Sequence, residues 1–196
     1  YTLSLHDALP IFRGSTVVLV LATPTSFGEI AVLDLTSGSW TVRTAHGAPL
    51  SDVELFPRVE REFTISDGTV VQGWLISGRS ADDFAPRPLL LDLHGGPHNA
   101  WNAAADSIHL YHQLLAARGW NVLLITPRGS DGYGEAFFDA VNGVWGVGDA
   151  QDFLEPVDAL VAEGIADPAR LAVTGYSYGG YMTCYALTYG ADYFKY

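Results

Sequence analysis

Residues 171–188, Leu-Ala-Val-Thr-Gly-Tyr-Ser-Tyr-Gly-Gly-Tyr-Met-Thr-Cys-Tyr-Ala-Leu-Thr, constrain this chain more than any other stretch. An apolar run from Leu171 to Thr174 meets a Gly-x-Ser-x-Gly at Gly175, Ser177 and Gly179, and an apolar helical pattern follows. Strand, sharp turn, helix is the setting in which a serine can stand at the apex of a strained turn with its hydroxyl clear of the sheet. Strand and helix pass close together there, so the flanking residues must be small, and Gly175, Gly179 and Gly180 meet that need. The helix N-terminus then sets free N–H groups and a positive dipole end beside the hydroxyl. Ser177 is the expected nucleophile. The bland alternative is a glycine-rich strand-to-helix turn of an ordinary α/β domain.

A second motif supports the first. The apolar run Leu89-Leu-Leu-Asp-Leu93 reads as a strand buried on both faces, and His94-Gly95-Gly96-Pro97 follows it. Two glycines at the carboxyl end of a parallel strand let backbone approach a ligand closely. In α/β hydrolases a loop of this type gives one N–H of an oxyanion hole, and the residue after the nucleophile gives the other. Here those are the backbone N–H groups of Gly96 and Tyr178. His94 precedes the nucleophile and sits on the oxyanion loop, so it is expected to support the loop with Gly95 rather than act as base. His109 and His112 lie three apart with no third ligand pattern, and are expected on a helix as surface or partly buried residues, with no metal site. No cofactor is implied.

The chain in order fits an α/β domain behind a piece of all-β structure. Residues 1–11, Tyr-Thr-Leu-Ser-Leu-His-Asp-Ala-Leu-Pro-Ile, match the in-frame translation of a common short-read sequencing adapter. They are set aside as an artefact, so His6 and Asp7 carry no weight and the true N-terminus is expected to be missing. Residues 15–22, 29–35 and 40–44 read as three short strands separated by turn clusters. They suggest the last remnant of a β-propeller over 12–56, or else an edge meander. Residues 45–60 form a polar, proline-containing connection, and the domain holding the serine is expected over 57–196. Residues 61–77 read as a hairpin with its turn at Asp67-Gly68. An amphipathic segment near 104–118 and a buried run over 121–126 follow. A helix is expected over about 149–163, with Asp149 near its N-cap and Pro156 kinking it or marking a later start. Strands alternating with helical patterns mean a mostly parallel sheet.

Composition closes off other classes. The 196 residues are 48% hydrophobic with a formal net charge of −12, which argues against nucleic acid or an anionic membrane as partner. No apolar run approaches a membrane span. The lone cysteine, Cys184, excludes an internal disulfide and is expected to be a small buried hydrophobe.

The runs His94-Gly-Gly-Pro-His98, Ala116-Ala-Arg-Gly-Trp-Asn-Val, Pro127-Arg-Gly-Ser-Asp-Gly-Tyr-Gly-Glu135, Trp145-Gly, Asp167-Pro-Ala-Arg-Leu-Ala-Val and Gly175-Tyr-Ser-Tyr-Gly-Gly-Tyr-Met-Thr183 together resemble the prolyl oligopeptidase family of serine peptidases. The likeness is to its acylaminoacyl-peptidase and dipeptidyl-peptidase branch, over about residues 60–196. It implies an α/β-hydrolase fold behind a β-propeller and an enzyme that cleaves short peptides through an acyl-enzyme on Ser177. It also implies an oxyanion hole at Gly96 and Tyr178. Tyr176 and Tyr178 would line the pocket, with core stacking an equal reading for Tyr176. The family's chain order is Ser, Asp, His. After Ser177 this sequence has Asp192, too near the elbow helix to be the family's acid, and no histidine. The general base and its orienter are therefore expected to be missing, and the chain alone to be an inactive fragment. A carboxylesterase or lipase of the same fold, or a non-catalytic scaffold, are the alternatives. No localisation or oligomeric state follows.

Overall fold

Period-two runs of β-branched residues broken by short polar turns shape the first fifty residues, while longer apolar runs alternating with helical patterns shape the rest. The computed structural model describes residues 10–78, 85–189 and 194. His6, Asp7, Asp192 and most of the adapter-like stretch lie outside the described residues. Two compact units result: one takes in the chain up to Arg58 together with Asn102–Leu110, the other Val59–Trp101 and the chain from Tyr111 onward.

The first unit is a four-stranded antiparallel meander of β1 (Ile11–Arg13), β2 (Thr16–Thr23), β3 (Ser26–Asp34) and β4 (Trp40–Val42), in chain order. Four strands form where three were expected, because Ile11 pairs with Val18 and Arg13 with Thr16 across a turn at Gly14. The β3–β4 turn is built by Asp34, whose Oδ1 accepts N–H bonds from Thr36 (2.7 Å) and Ser37 (3.2 Å). Val17 and Ala31 are the buried side chains of these strands. In the 102–110 segment Asp106 accepts the N–H of Ile108 at 2.8 Å and bonds the His109 ring. These local bonds compete with helix, so the helix expected over 104–118 is confined to α1 (Tyr111–Ala117), and His109 falls outside it.

The second unit holds a five-stranded sheet of β5 (Arg58–Thr64), β6 (Val70–Ile76), β7 (Arg87–Leu93), β8 (Asn121–Thr126) and β9 (Ala166–Gly175), in the order β5-β6-β8-β7-β9. β6 runs antiparallel to β8, while β8, β7 and β9 are parallel. All six residues of β8 are buried, as a central strand covered on both faces requires. Helices α1, α2 (Glu135–Asp139), α3 (Asp149–Ala162) and α4 (Tyr178–Tyr189) complete the unit. Leu89, Leu91 and Leu93 of β7 meet Phe153, Val157 and Leu160 of α3 and Met182 of α4 in one core cluster. The whole is the α/β-hydrolase arrangement.

One expectation about α3 changes. The helix runs unbroken through Pro156, whose missing N–H deprives the Asp152 carbonyl of its usual donor without ending the helix. Gly148 stands at the N-cap and Asp149 beside it, as expected, is the first helical residue, with its carboxylate turned to other partners.

A charge network braces the unit. Arg128, just after β8, forks onto Asp152 of α3 through Nε (2.9 Å) and Nη2 (2.7 Å), while its backbone N–H also meets that carboxylate at 2.8 Å. Its remaining nitrogen Nη1 reaches Asp67 in the β5–β6 turn at 2.7 Å. Burial pushes the Asp152 carboxyl up, and the Arg128 fork opposes it. Asp67 is exposed, and the hydrogen bond from Arg128, with the Thr69 N–H behind it, holds its carboxyl at about 2 against an ordinary 3.8. A carboxyl depressed on folding stabilises above its unfolded value and loses that contribution as pH falls through its folded value. Thermal stability is therefore expected to drop between pH 3.8 and about 2 in part through Asp67. Scanning calorimetry of the protein and of Asp67→Asn should show two curves separated at neutral pH that converge across that window.

Candidate active site

The site begins with strand register. β7 and β9 are parallel neighbours, and Leu93 pairs with Gly175. Both chains therefore leave the sheet at the same level, one into His94-Gly95-Gly96-Pro97 and the other into Tyr176-Ser177. The outcome is direct: a Cβ placed on Gly95 would lie 3.1 Å from the Tyr176 carbonyl oxygen and 3.4 Å from Ser177 Cβ. Two motifs eighty residues apart in sequence meet at the carboxyl end of the sheet, where open α/β sheets carry their sites.

Ser177 has φ +56°, the one positive φ at a non-glycine residue among those described. Such a conformation costs roughly 1–2 kcal/mol and persists only where the surroundings over-determine it. Here they do. The Gly179 N–H bonds the Tyr176 carbonyl at 2.9 Å, and the Tyr181 N–H bonds the Ser177 carbonyl at 3.0 Å, closing the first turn of α4 directly after the serine. The elbow glycines are not equivalent. A Cβ on Gly179 would stand 1.9 Å from the Leu93 carbonyl oxygen, and one on Gly175 2.5 Å from the Gly179 backbone. One on Gly180 would meet only the Gly175 carbonyl oxygen, at 3.4 Å. The side chain of Ser177 is exposed, and the N–H of Tyr178 lies in the first turn of α4, where no intrahelical acceptor exists. Gly96 turns the other loop with φ +138°, a conformation open to glycine, and the peptide after it, Gly96–Pro97, is cis.

His94 is buried, and both ring nitrogens are engaged. Nδ1–H donates to the Gly95 carbonyl at 2.9 Å, which leaves Nε2 to accept from the Ser130 hydroxyl at 3.1 Å. The ring ties the glycine loop to the Pro127-Arg128-Gly129-Ser130 run. His98 makes a parallel tie, donating from Nδ1 to the Gly129 carbonyl at 2.8 Å while stacked on Phe138. A cavity of about 490 Å³ opens beside these loops, lined by Pro97, His98, Asn142, Gly143, Trp145 and Tyr181.

The two tyrosines of the motif exchange roles. Tyr176 is 80% exposed, whereas Tyr178 is 2% exposed, its hydroxyl bonded to Asp149 Oδ2 at 2.6 Å and its ring set edge-on to Trp145. The side chain of Tyr178 thus belongs to the interior and does not line a pocket. Burial, with the bond to Asp149 behind it, pushes that hydroxyl well above the ordinary tyrosine range. Cys184 is exposed, contrary to expectation, because the face of α4 turned to the core is Tyr178, Gly179, Met182 and Ala186. His112, expected near the surface, is fully buried, donating from Nε2 to Asp92 Oδ2 at 2.6 Å beside the Tyr111 hydroxyl on the same oxygen. Among the described residues no group of three or more His, Cys, Asp or Glu side chains could hold a metal ion.

Sequence reasoning missed three buried polar couplings: Asp149 with Tyr178, Asp92 with His112, and Arg128 with Asp152. Each joins residues on different elements, so no local period announces it. The available signal was the presence of aspartates inside otherwise apolar runs, Asp92 above all.

Comparison with known proteins bears on this geometry. Residues 107–196 match the prolyl oligopeptidase family. The chain is 42% identical to the uncharacterized peptidase YuxL of Bacillus subtilis, over 63% of this chain and 19% of that protein. It is 34% identical to dipeptidyl aminopeptidase BIII of Pseudoxanthomonas mexicana, over 82% of this chain and 24% of that protein. The acylaminoacyl peptidase of Pyrococcus horikoshii superposes with a TM-score of 0.81 at 29% identity, covering 93% of this chain and 29% of its own. The chain thus spans a quarter or less of the length of these two curated relatives.

The glycine contacts make a sharp prediction. Gly179→Ala must push α4 off the Leu93 carbonyl and is expected to destabilise the second unit by about 3 kcal/mol or more, whereas Gly180→Ala should cost under about 1 kcal/mol. Urea titrations of the two variants compare the losses; equal losses would show that the elbow does not depend on this contact.

Proposed function

We propose, for a chain that belongs to the prolyl oligopeptidase family, that the protein is a serine peptidase hydrolysing short peptides through an acyl-enzyme on Ser177. The observation that carries this reading is the pairing of Leu93 with Gly175, which sets the Gly95-Gly96 backbone against an exposed serine at positive φ on a helix N-terminus. In this reading Ser177 Oγ attacks the scissile carbonyl, and the N–H groups of Gly96 and Tyr178 receive the oxygen as it gains charge. Each such donor is typically worth about 2.7–4 kcal/mol in the transition state. Collapse of the tetrahedral species releases the amine and leaves the ester on Ser177, which water then cleaves.

Gly175, Gly179 and Gly180 support the elbow in this scheme, and His94 and Gly95 support the oxyanion loop. The serine proton needs a base. Since the Gly95 carbonyl and Ser130 engage both nitrogens of His94, that ring is a brace in this scheme. The base and its carboxylate partner are assigned to sequence outside these 196 residues, in the order Ser, Asp, His. The division that accompanies this reading makes residues 12–56 the end of a β-propeller, 57–196 the start of the catalytic domain, and 1–11 adapter-derived. The four-stranded meander fits a propeller blade.

A fluorophosphonate probe and paired peptide and p-nitrophenyl ester substrates test the proposal. The full-length protein should be labelled at Ser177 and turn over the peptide. The 196-residue chain alone should stay unlabelled. Ser177→Ala should abolish labelling and lower kcat by roughly a millionfold. Turnover of esters without peptides would replace a peptidase with an esterase.

A further inference from the structure

The backbone N–H of Tyr178 is useful as an oxyanion donor only if it stays put. An oxyanion donor works because its orientation is settled before charge develops, so that nothing reorganises during the reaction. Two features work against that here. The residue follows Ser177, whose φ of +56° is a sparsely populated conformation, and it opens α4, where backbone N–H groups have no intrahelical acceptor to hold them. The Tyr181 N–H holds the carbonyl end of the peptide joining residues 177 and 178 at 3.0 Å, and a second restraint, on the Tyr178 side, would settle the direction of its N–H.

We propose that Asp149 is a positioning residue for this donor, its carboxylate holding the Tyr178 N–H in place through the tyrosine hydroxyl. The proposal rests on the reading of Ser177 as nucleophile and Tyr178 as oxyanion donor. The geometry supplies a closed path. Tyr178 Oη donates to Asp149 Oδ2 at 2.6 Å, and Oδ1 of the same carboxylate accepts the Gly146 N–H at 2.7 Å. Both side chains are buried, so the bond is neither screened by salt nor exchanged with water. A carboxylate acceptor makes the bond charge-assisted and about twice as strong as one between neutral groups. The Trp145 ring stands edge-on to the tyrosine with centroids 5.0 Å apart, blocking sideways swing. Gly146 lets the loop come this close: at φ +85°, a Cβ there would sit 2.6 Å from the ring of Tyr185, two turns further along α4.

The arrangement reads as a strut. The carboxylate is fixed by the start of α3 and by the loop before it, the phenol spans from there to the first residue of α4, and the backbone N–H is one atom away from the anchored Cα. Burial, with the bond to Asp149 behind it, raises the tyrosine hydroxyl well above its ordinary range.

Steady-state kinetics on the full-length protein test the strut. Tyr178→Phe keeps the ring and its packing, and should lower kcat about tenfold, a fraction of what losing the whole donor costs. KM for the peptide should stay within about twofold. Inhibition by a peptide aldehyde, whose hemiacetal oxygen takes the oxyanion position, should weaken by the same factor as kcat. Asp149→Ala should match Tyr178→Phe, and the double variant should be no worse than either single change, because the two groups act as one unit. Asp149→Asn, which can still bridge the hydroxyl and the Gly146 N–H, should regain most of the lost rate. A drop in Tm with kcat and aldehyde affinity unchanged in Tyr178→Phe would overturn the proposal, leaving Asp149 a stabilising residue only. Absence of turnover in the unsubstituted protein would instead sink the nucleophile assignment itself.

Discussion

The carbonyl of Leu93 and the Cα of Gly179 lie so close that no side chain can stand between them, and the site follows from that approach. It lets α4 settle onto the ends of β7 and β9. With the helix that low, the chain linking β9 to α4 has only Tyr176 and Ser177 in which to reverse direction, and the serine is left in the left-handed region. The register that pairs Leu93 with Gly175 brings the glycine loop to the same height. Position and conformation of Ser177 are thus properties of backbone packing, set before any side-chain chemistry enters.

Around this contact the unit uses polar side chains, some of them buried, to tie loops and helix ends together. His94 and His98 fasten the glycine loop to residues 129 and 130. Arg128 fastens that same run to α3 through Asp152 and to the β5–β6 turn through Asp67. Asp149 fastens the start of α3 to the start of α4. His94, Asp149 and Asp152 are buried, a costly placement for polar groups unless bonded, and each is bonded to a partner outside its own element. A loop held this way loses little further entropy when a ligand arrives, which is the requirement for a preorganised site.

Much of this was legible in the chain. The strands at 89–93 and 121–126 and the elbow at 175–179 are local in character: apolar runs, punctuating glycines, a serine between them. The Asp67-Gly68 turn is local too. What failed was everything set by partners distant in sequence. Tyr176 and Tyr178 are chemically alike and two apart, and only the packing of α4 decides which enters the core. Cys184 reads as a buried residue by composition but falls on the outer face of its helix. The segment at 104–118 shows helical spacing throughout, yet Asp106 captures the local N–H groups and delays the helix to Tyr111. His112 is polar by type and buried by virtue of one aspartate on β7.

The left-handed backbone at position 177 has a consequence for laboratory evolution. Glycine tolerates that conformation at no steric cost, and asparagine tolerates it better than serine does. A screen of this chain that rewards heat resistance without demanding turnover would therefore favour replacement of the very side chain proposed here as the nucleophile. Libraries built on this scaffold need an activity readout at every round, because selection for robustness alone drives the sequence toward a sturdier protein with nothing at its apex.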